Sequence, residues 1–355
     1  MNIPVIMYHS VNDYVDKHPQ GFLAFSEKEF RLHLRIFEML GYEILSLSEI
    51  FELDFSLLDK RKKIAILTFD DGFLDNLTTV APILEDKGIK ATVFINTDML
   101  EQSKRYDHFN WGFINDSEMD QLYARGCFDI QSHTHSHNRV FVSNKVVDYY
   151  SADKFDKYYW LIWLLFPDTK HEWHGDVRRF RSIIPDGLPI LENDREINQK
   201  QYIVSFEQLM DSEVVGGSIS VGYFEDDNDY EERVSCLLKK PRDIVKKNLG
   251  HTMEHVCFPG GAYNKKVLEV LEKENFKSYM LSSSEQRSNN EETFSKFGEK
   301  ITAVSRISFT LDYPSFIPKY ISAFISVGIK LKYYEGNKLV VKMMFFMKKI
   351  RDVLR

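Results

Sequence analysis

Lys63-Ile64-Ala65-Ile66-Leu67-Thr68-Phe69-Asp70-Asp71-Gly72 decides the class of fold. Five of the six residues from Ile64 to Phe69 are apolar, which reads as a strand buried on both faces. The run stops in two adjacent carboxylates and a glycine. Burying two neighbouring charges is expensive unless something pairs with them. The glycine then lets the backbone turn sharply. Carboxylates at the carboxyl end of a parallel strand stand where barrel and open α/β enzymes keep their chemistry. A blander reading makes the stretch a polar loop that opens a helix at Phe73, with Asp71 as its cap.

A second stretch favours a site. Cys127-Phe128-Asp129-Ile130-Gln131 reads as another short strand, running into Ser132-His133-Thr134-His135-Ser136-His137. Three of the eleven histidines fall within those last residues. His133 and His137 are four apart, so one helical turn would place both on one face. That spacing suits two imidazole ligands of one metal. Alone, the run would equally suit an exposed histidine-rich loop. Beside Asp-Asp at a strand end, one carboxylate and two imidazoles make a three-ligand set with room for water. That is the pattern of a catalytic metal rather than a structural one.

Here the sequence resembles the NodB-type polysaccharide deacetylases, carbohydrate esterase family four. Thr68-Phe69-Asp70-Asp71-Gly72 matches their first motif, and His133-Thr134-His135-Ser136-His137 matches the second, H-[ST]-x-x-H. Phe258-Pro259-Gly260-Gly261-Ala262-Tyr263-Asn264 looks like a variant of the third. Pro4 to His9 resembles the "P-x-x-x-Y-H" opening of many members, and Arg306-Ile307 the "R-I" near the end of such domains. The resemblance implies a distorted seven-stranded (β/α) barrel. It implies a divalent metal on Asp71, His133 and His137, most readily Zn²⁺, with Co²⁺, Ni²⁺ or Fe²⁺ also admitted. Asp70 would be the general base, Gly260 would offer its N–H to an oxyanion, and Pro259, Gly261 and Tyr263 would line the substrate. Two departures matter. Cys257 stands where the third motif begins with an arginine that holds the base, so Arg306 is expected to supply that cation. The late histidine that protonates the leaving group has no counterpart, because no histidine follows His255. His9, at a strand end facing the same rim, or His174 would replace it; otherwise catalysis is slow, or the leaving group needs less help, as for an ester. The blander reading of His9 is a histidine satisfied by a backbone partner.

The chain of 355 residues suits one large domain or two ordinary ones. A net charge of −7 argues against nucleic acid as a partner. Three cysteines without framework spacing read as reduced thiols, Cys127 and Cys257 buried in strands. Met1 to His9 lacks the marks of a signal peptide, so a cytoplasmic protein is expected. No run of about eighteen apolar residues suggests a spanning helix.

Four parts are expected: 1–139 and 230–315 as the two pieces of the barrel, 140–229 as an insertion, and 316–355 as a basic tail. Ser26 and Glu29 should cap a helix that Gly41 stops. Further helices are expected at Asp75 to Lys87, Ser117 to Arg125, Glu231 to Lys247 and Lys265 to Asn275. Strands are expected at Ala91 to Ile95, His255 to Phe258, Ser278 to Ser282 and Ala303 to Phe309. The alternation of strand and helix signals a parallel sheet. The insertion gathers Trp160, Trp163 and Trp173, three of the four tryptophans. It reads as a helical, aromatic subdomain, or as a lid whose aromatics, Trp173 among them, meet sugar rings or a lipid carrier. Glu225 to Asp229 reads as a solvated loop closing it. From Lys319 to Arg355 nine basic residues face two acidic ones. Residues 338–355 suit either a helix on an anionic membrane surface or one packed on the barrel.

The expected function is removal of an acetyl group, N-acetyl before O-acetyl, from a sugar. The substrate would be a nucleotide- or lipid-linked precursor of surface polysaccharide, handled at the inner face of the membrane. The alternative is a catalytically weak or inactive family member that binds a glycan or assembly partner. A third reading keeps the metal and changes the bond, to a cyclic amide or another acyl group.

Overall fold

A computed structural model describes residues 3–13, 23–54, 57, 62–100, 112–167, 181–282 and 301–308, together with Val327 and Leu331. Trp173, His174 and the basic 338–355 stretch lie outside the described residues. Contacts divide the chain into two units. The first comprises Met1–Phe94, Gln121–Ile130 and Lys277–Arg355; the second comprises Ile95–Asp120 and Gln131–Phe276.

The first unit is built on Lys63–Phe69, whose residues from Ile64 onward are all buried. Val5–Tyr8 runs parallel to it, with Val5 opposite Ile66 and Tyr8 opposite Phe69. Tyr42–Leu45 and Ala91–Ile95 also pair with it in parallel. Ile307–Ser308 lies parallel on the far side of Val5–Tyr8. Parallel strands need crossovers, and the chain supplies helices for them. Glu27–Met39 starts at Ser26 with the expected capping box to Glu29, and buries Phe30, Leu34 and Phe37. Tyr8 stacks on Phe69 and meets Phe25 and Phe30 edge-on, which ties that helix to the two central strands.

Two expected elements differ here. The segment after Asp75 begins as a π-helix, Asn76–Val80, before the α-helix Ala81–Lys87 that Gly88 stops. Its start is held by side chains that reach the first strand's end: Asn76 Nδ2 donates to the His9 carbonyl at 3.0 Å, and Asp75 accepts from Ser10 and Asn12. A wide turn of this kind is common where a helix serves a site. The strand expected over Ala303 to Phe309 is two short ones, Thr302–Val304 and Ile307–Ser308, separated by the buried residues Ser305 and Arg306.

In the second unit, His255–Cys257 pairs in parallel with Phe128–Ser132 through Val256 and Ser132. Asp227–Leu249 is a long helix with Asp226 as its N-cap and left-handed Gly250 as its stop. The expected solvated loop at Glu225 to Asp229 is therefore corrected. Asp226 caps, Asp227 and Asp229 fill the first turn, and Glu225 is buried against Arg233. Acidic residues there complement the helix dipole.

The 140–229 stretch keeps the expected aromatics and short helices, Phe155–Tyr158 and Leu161–Leu165. It also holds a sheet that its periodicity does not announce. Arg139–Tyr149 pairs antiparallel with Pro189–Arg195, with register shifts between Phe141 and Val146 and between Val146 and Asp148. Ser218–Ile219 joins this pair and forms a hairpin with Val214–Val215. Gly216 and Gly217 make the connecting turn, with φ of 60° and 80°. A two-residue turn with both φ positive suits glycine. The sheet packs on a core that includes Phe141, Tyr150, Phe155, Trp160 and Leu188. Among the described residues no helix is long and apolar enough to cross a membrane.

Candidate active site

Asp70 follows directly on the buried strand, and its amide donates to the Tyr8 carbonyl at 2.9 Å. Its carboxylate is 3% exposed as a residue and meets the guanidinium of Arg306, itself 3% exposed. Arg306 Nη1 lies 2.7 Å from Asp70 Oδ1 and 2.9 Å from Oδ2. His9 Nε2 lies 3.9 Å from Asp70 Oδ2. Three residues singled out in the sequence thus meet in the first unit. The order of strands explains it: Ile307 pairs with Ile6, whose strand pairs with the one ending in Asp70. Arg306 therefore stands one strand removed from its partner.

Asp71 is buried, with φ of 74°. A non-glycine residue in the left-handed region is strained by about 1–3 kcal/mol and persists only when its surroundings enforce it. Thr134, inside the second motif, has φ of 67°. Each motif thus carries one such residue, and strain of this kind gathers at functional sites.

The second unit holds the histidines. They do not lie on the helical turn that their spacing suggests, because the chain after Ser132 is a loop turned by left-handed Thr134. The loop is fixed at many points. His133 N donates to Ile95 O, Asn96 Nδ2 donates to His133 O, and Thr134 Oγ1 donates to Ser136 O. His135 is drawn away to Thr97. The rings of His133 and His137 have centroids 5.3 Å apart, and each offers a nitrogen within 4.8 Å of the other's. His133 Nδ1 lies 2.8 Å from the Cys257 carbonyl. A carbonyl only accepts, so Nδ1 carries the proton and Nε2 keeps its lone pair for a metal. The donor set fits that role at His133. His137 Nδ1 lies 3.0 Å from Arg195 Nη1. A guanidinium only donates, so this nitrogen accepts, and a metal on His137 would replace that bond.

Residues 259–261 follow the strand His255–Cys257, and Gly260 has φ of 63°. A Cβ there would stand 3.1 Å from Arg195 Nε. Pro259 is buried, Gly261 is partly exposed, and Tyr263 stacks on Phe258.

Arg195 and Glu196 are site-adjacent residues to which no motif points. Both come from the end of the strand Pro189–Arg195. Glu196 Oε1 accepts from Ser136 Oγ at 2.5 Å and from Asn138 N at 3.0 Å, so the insertion grips the histidine loop on both sides of His137. The one available signal was a charged run, Asp194-Arg195-Glu196, at the end of a strand that opens with apolar Pro189-Ile190-Leu191.

The fold and this site define a class. Residues 58–157, which include both carboxylates and both histidines, match the polysaccharide deacetylase family. YxkH of Bacillus subtilis, itself assigned to the polysaccharide deacetylases, is 31% identical over 140 residues, covering 38% of this chain and 43% of that protein. The chain is thus aligned to less than half the length of that relative. Among solved structures, a de-N-acetylase from Aggregatibacter actinomycetemcomitans superposes with a TM-score of 0.59 at 15% identity, over 91% of this chain and 100% of that one. The BpsB deacetylase domain from Bordetella bronchiseptica gives 0.55 at 17% identity, over 86% and 95%. The match to the polysaccharide deacetylase family is thus confined to residues 58–157, and the α/β fold is similar to that of these solved deacetylase structures.

Proposed function

We propose that this protein is a metal-dependent hydrolase that removes an acetyl group, N-acetyl before O-acetyl, from a sugar in a nucleotide- or lipid-linked precursor of surface polysaccharide. The observation that carries the reading is the buried pairing of Asp70 with Arg306. The family match to polysaccharide deacetylases supplies the reaction class.

Asp71, His133 and His137 would hold one divalent metal, Zn²⁺ by preference, with Co²⁺, Ni²⁺ or Fe²⁺ admitted by the same ligands. When bound, it supplies Lewis acidity toward water and the acyl oxygen. Asp70 takes the proton from the attacking water as general base. Arg306 fixes the carboxylate's orientation and balances its charge in a buried setting. It does the work expected of the arginine whose place Cys257 occupies. His9, within 4 Å of the base, is the described histidine best placed to protonate the leaving group; His174 lies outside the described residues. The Gly260 N–H would support the oxyanion, and Pro259, Gly261 and Tyr263 would contact the sugar, with Trp173 from the insertion. The three free cysteines and the basic 338–355 stretch support placement at the cytoplasmic face of an anionic membrane.

The test is acetate release by metal-reconstituted protein from a panel of acetylated nucleotide sugars and lipid-linked sugars, with Asp70→Asn as control. Release that vanishes in the variant is expected. Bound metal with no release from any member of the panel would leave a glycan-binding protein, or a different scissile bond.

A further inference from the structure

The insertion carries a groove of about 520 Å³ that opens beside His137. Arg139, Lys157 and Arg195 line it together with Trp160 and Trp163, and among the described residues no aspartate or glutamate lines it. Arg139 and Arg195 are direct cross-strand partners in the antiparallel pair. Residues so placed project from the same face of a sheet, and like charges directly opposite destabilise it. A local conflict of this kind marks a position kept for something other than folding.

Arg139 is held in place by two neighbours. Arg139 Nε donates to Asn193 Oδ1 at 2.8 Å, and its guanidinium lies 5.7 Å from the centre of the Trp160 ring. Asn193 shares the face, two residues before Arg195. Arg195 Nη1 lies 3.0 Å from His137 Nδ1, and a metal on His137 would release that donor to the groove. Lys157 also reaches Asp148, with its ammonium 3.2 Å away. Arg139 and Arg195 are the other two cations that line the groove. Planar guanidiniums pre-set by packing suit the fork-like binding of phosphate or carboxylate oxygens.

We infer that the groove is a subsite for an anionic group of the saccharide, a phosphate ester or a carboxylate, held by Arg139 and Arg195 while the acetylated ring lies toward His137. The inference rests on the deacetylase reading for its placement of the ring, and it narrows the substrate to negatively charged glycans. Asn193 and Trp160 act as positioning residues that keep Arg139 in place.

Calorimetric titration of the full chain, in low and in moderate salt, tests it with defined probes. These are N-acetylglucosamine, N-acetylglucosamine 1-phosphate, a disaccharide of N-acetylglucosamine and glucuronic acid, and inorganic phosphate. The expected result is at least about tenfold tighter binding of a charged saccharide than of the neutral sugar, a preference that salt weakens. Arg139→Gln should remove most of that preference, and Arg139→Lys should keep part of it. Phosphate and carboxylate probes separate the two sources by which binds tighter. Equal affinity for neutral and charged sugars overturns the inference, as does a preference that survives Arg139→Gln. Inorganic phosphate binding as tightly as its saccharide ester also overturns it, since the site would then hold a bare anion. Should Arg139→Gln not fold, Arg139→Lys and the salt dependence of the wild type decide. Acetate release is read alongside. Charge preference without release overturns the deacetylase reading alone; release without charge preference overturns the subsite alone.

Discussion

Arg306 Nη1 bonds both carboxylate oxygens of Asp70, at 2.7 and 2.9 Å, across 236 residues of chain. Both residues are buried, so their charges are balanced by protein groups rather than by water. Removing one partner of a buried pair costs about 3–5 kcal/mol. Arg306→Ala is therefore expected to lower stability, and Arg306→Lys serves as the milder variant. With Asp70 as base, Arg306→Lys should reduce kcat about 100-fold, within the range of general-base effects, while bound metal per chain stays at the wild-type value. Acetate release and metal analysis on the same preparation check both. Unchanged kinetics would remove Arg306 from the mechanism.

Arg195 would compete with a metal held by His137. Its bond to Nδ1 is lost if that nitrogen ligates, and equally if Nε2 ligates, because the ring proton must then sit on Nδ1. Its positive charge also opposes a dication nearby. Arg195→Met should tighten Zn²⁺ binding about tenfold, a difference of ~1.4 kcal/mol. Titration against a chelator of known affinity measures it. Weaker binding would show that Arg195 organises the ligands instead.

Gly260 takes φ of 63° with Arg195 Nε 3.1 Å from where a Cβ would stand. Gly260→Ala should cost about 1 kcal/mol in stability for the left-handed backbone. It should cost more in turnover, because the side chain pushes on Arg195 and shifts the turn. A thermal melt and kcat, measured together, separate the two. A loss of stability with full kcat would remove the Gly260 N–H from the reaction.

Burial pushes the Asp75 carboxyl above its ordinary value, with Ser10, Asn12 and Asn76 pulling it back only in part. The folded protein thus holds a proton that the unfolded chain has already lost. Stability from this group is complete below the ordinary aspartate range and declines as pH rises through the raised folded value. The advantage of wild type over Asp75→Asn should therefore be largest in acid and shrink as pH rises. Urea midpoints across a pH series check this. A gap that widens with pH would mean that the ionised carboxylate is the favoured form.

Local features were legible because they depend on neighbours in sequence. The apolar run from Ile64 to Phe69 announced a doubly buried strand, and every residue of it is buried. Ser26 and Glu29 form the box that their spacing predicts. The left-handed stop at Gly88 follows from the residue type. The histidine pair was found by a wrong route. Four residues suggested a helical turn, whereas a strained Thr134 and a web of backbone bonds make the loop. The insertion's sheet stayed hidden because Arg139–Tyr149 is broken by register shifts, which erase the two-residue alternation that betrays a strand.

By itself, the sequence determined the α/β class, the strand that ends in Asp70 and Asp71, and the two motifs that carry carboxylates and imidazoles. These are written in periodicity and residue type within a few positions. The fold brings Arg306, the cation expected from the sequence, onto Asp70, and it alone reveals which residues of the insertion hold the histidine loop. Arg306 reaches Asp70 because Ile307 pairs with Ile6 and Ile66 with Val5. Arg195 and Glu196 reach His137, Ser136 and Asn138 because a bulged antiparallel pair brings its far end back to the loop. Register between distant strands is set by the packing of the whole sheet, and no single stretch of sequence contains it.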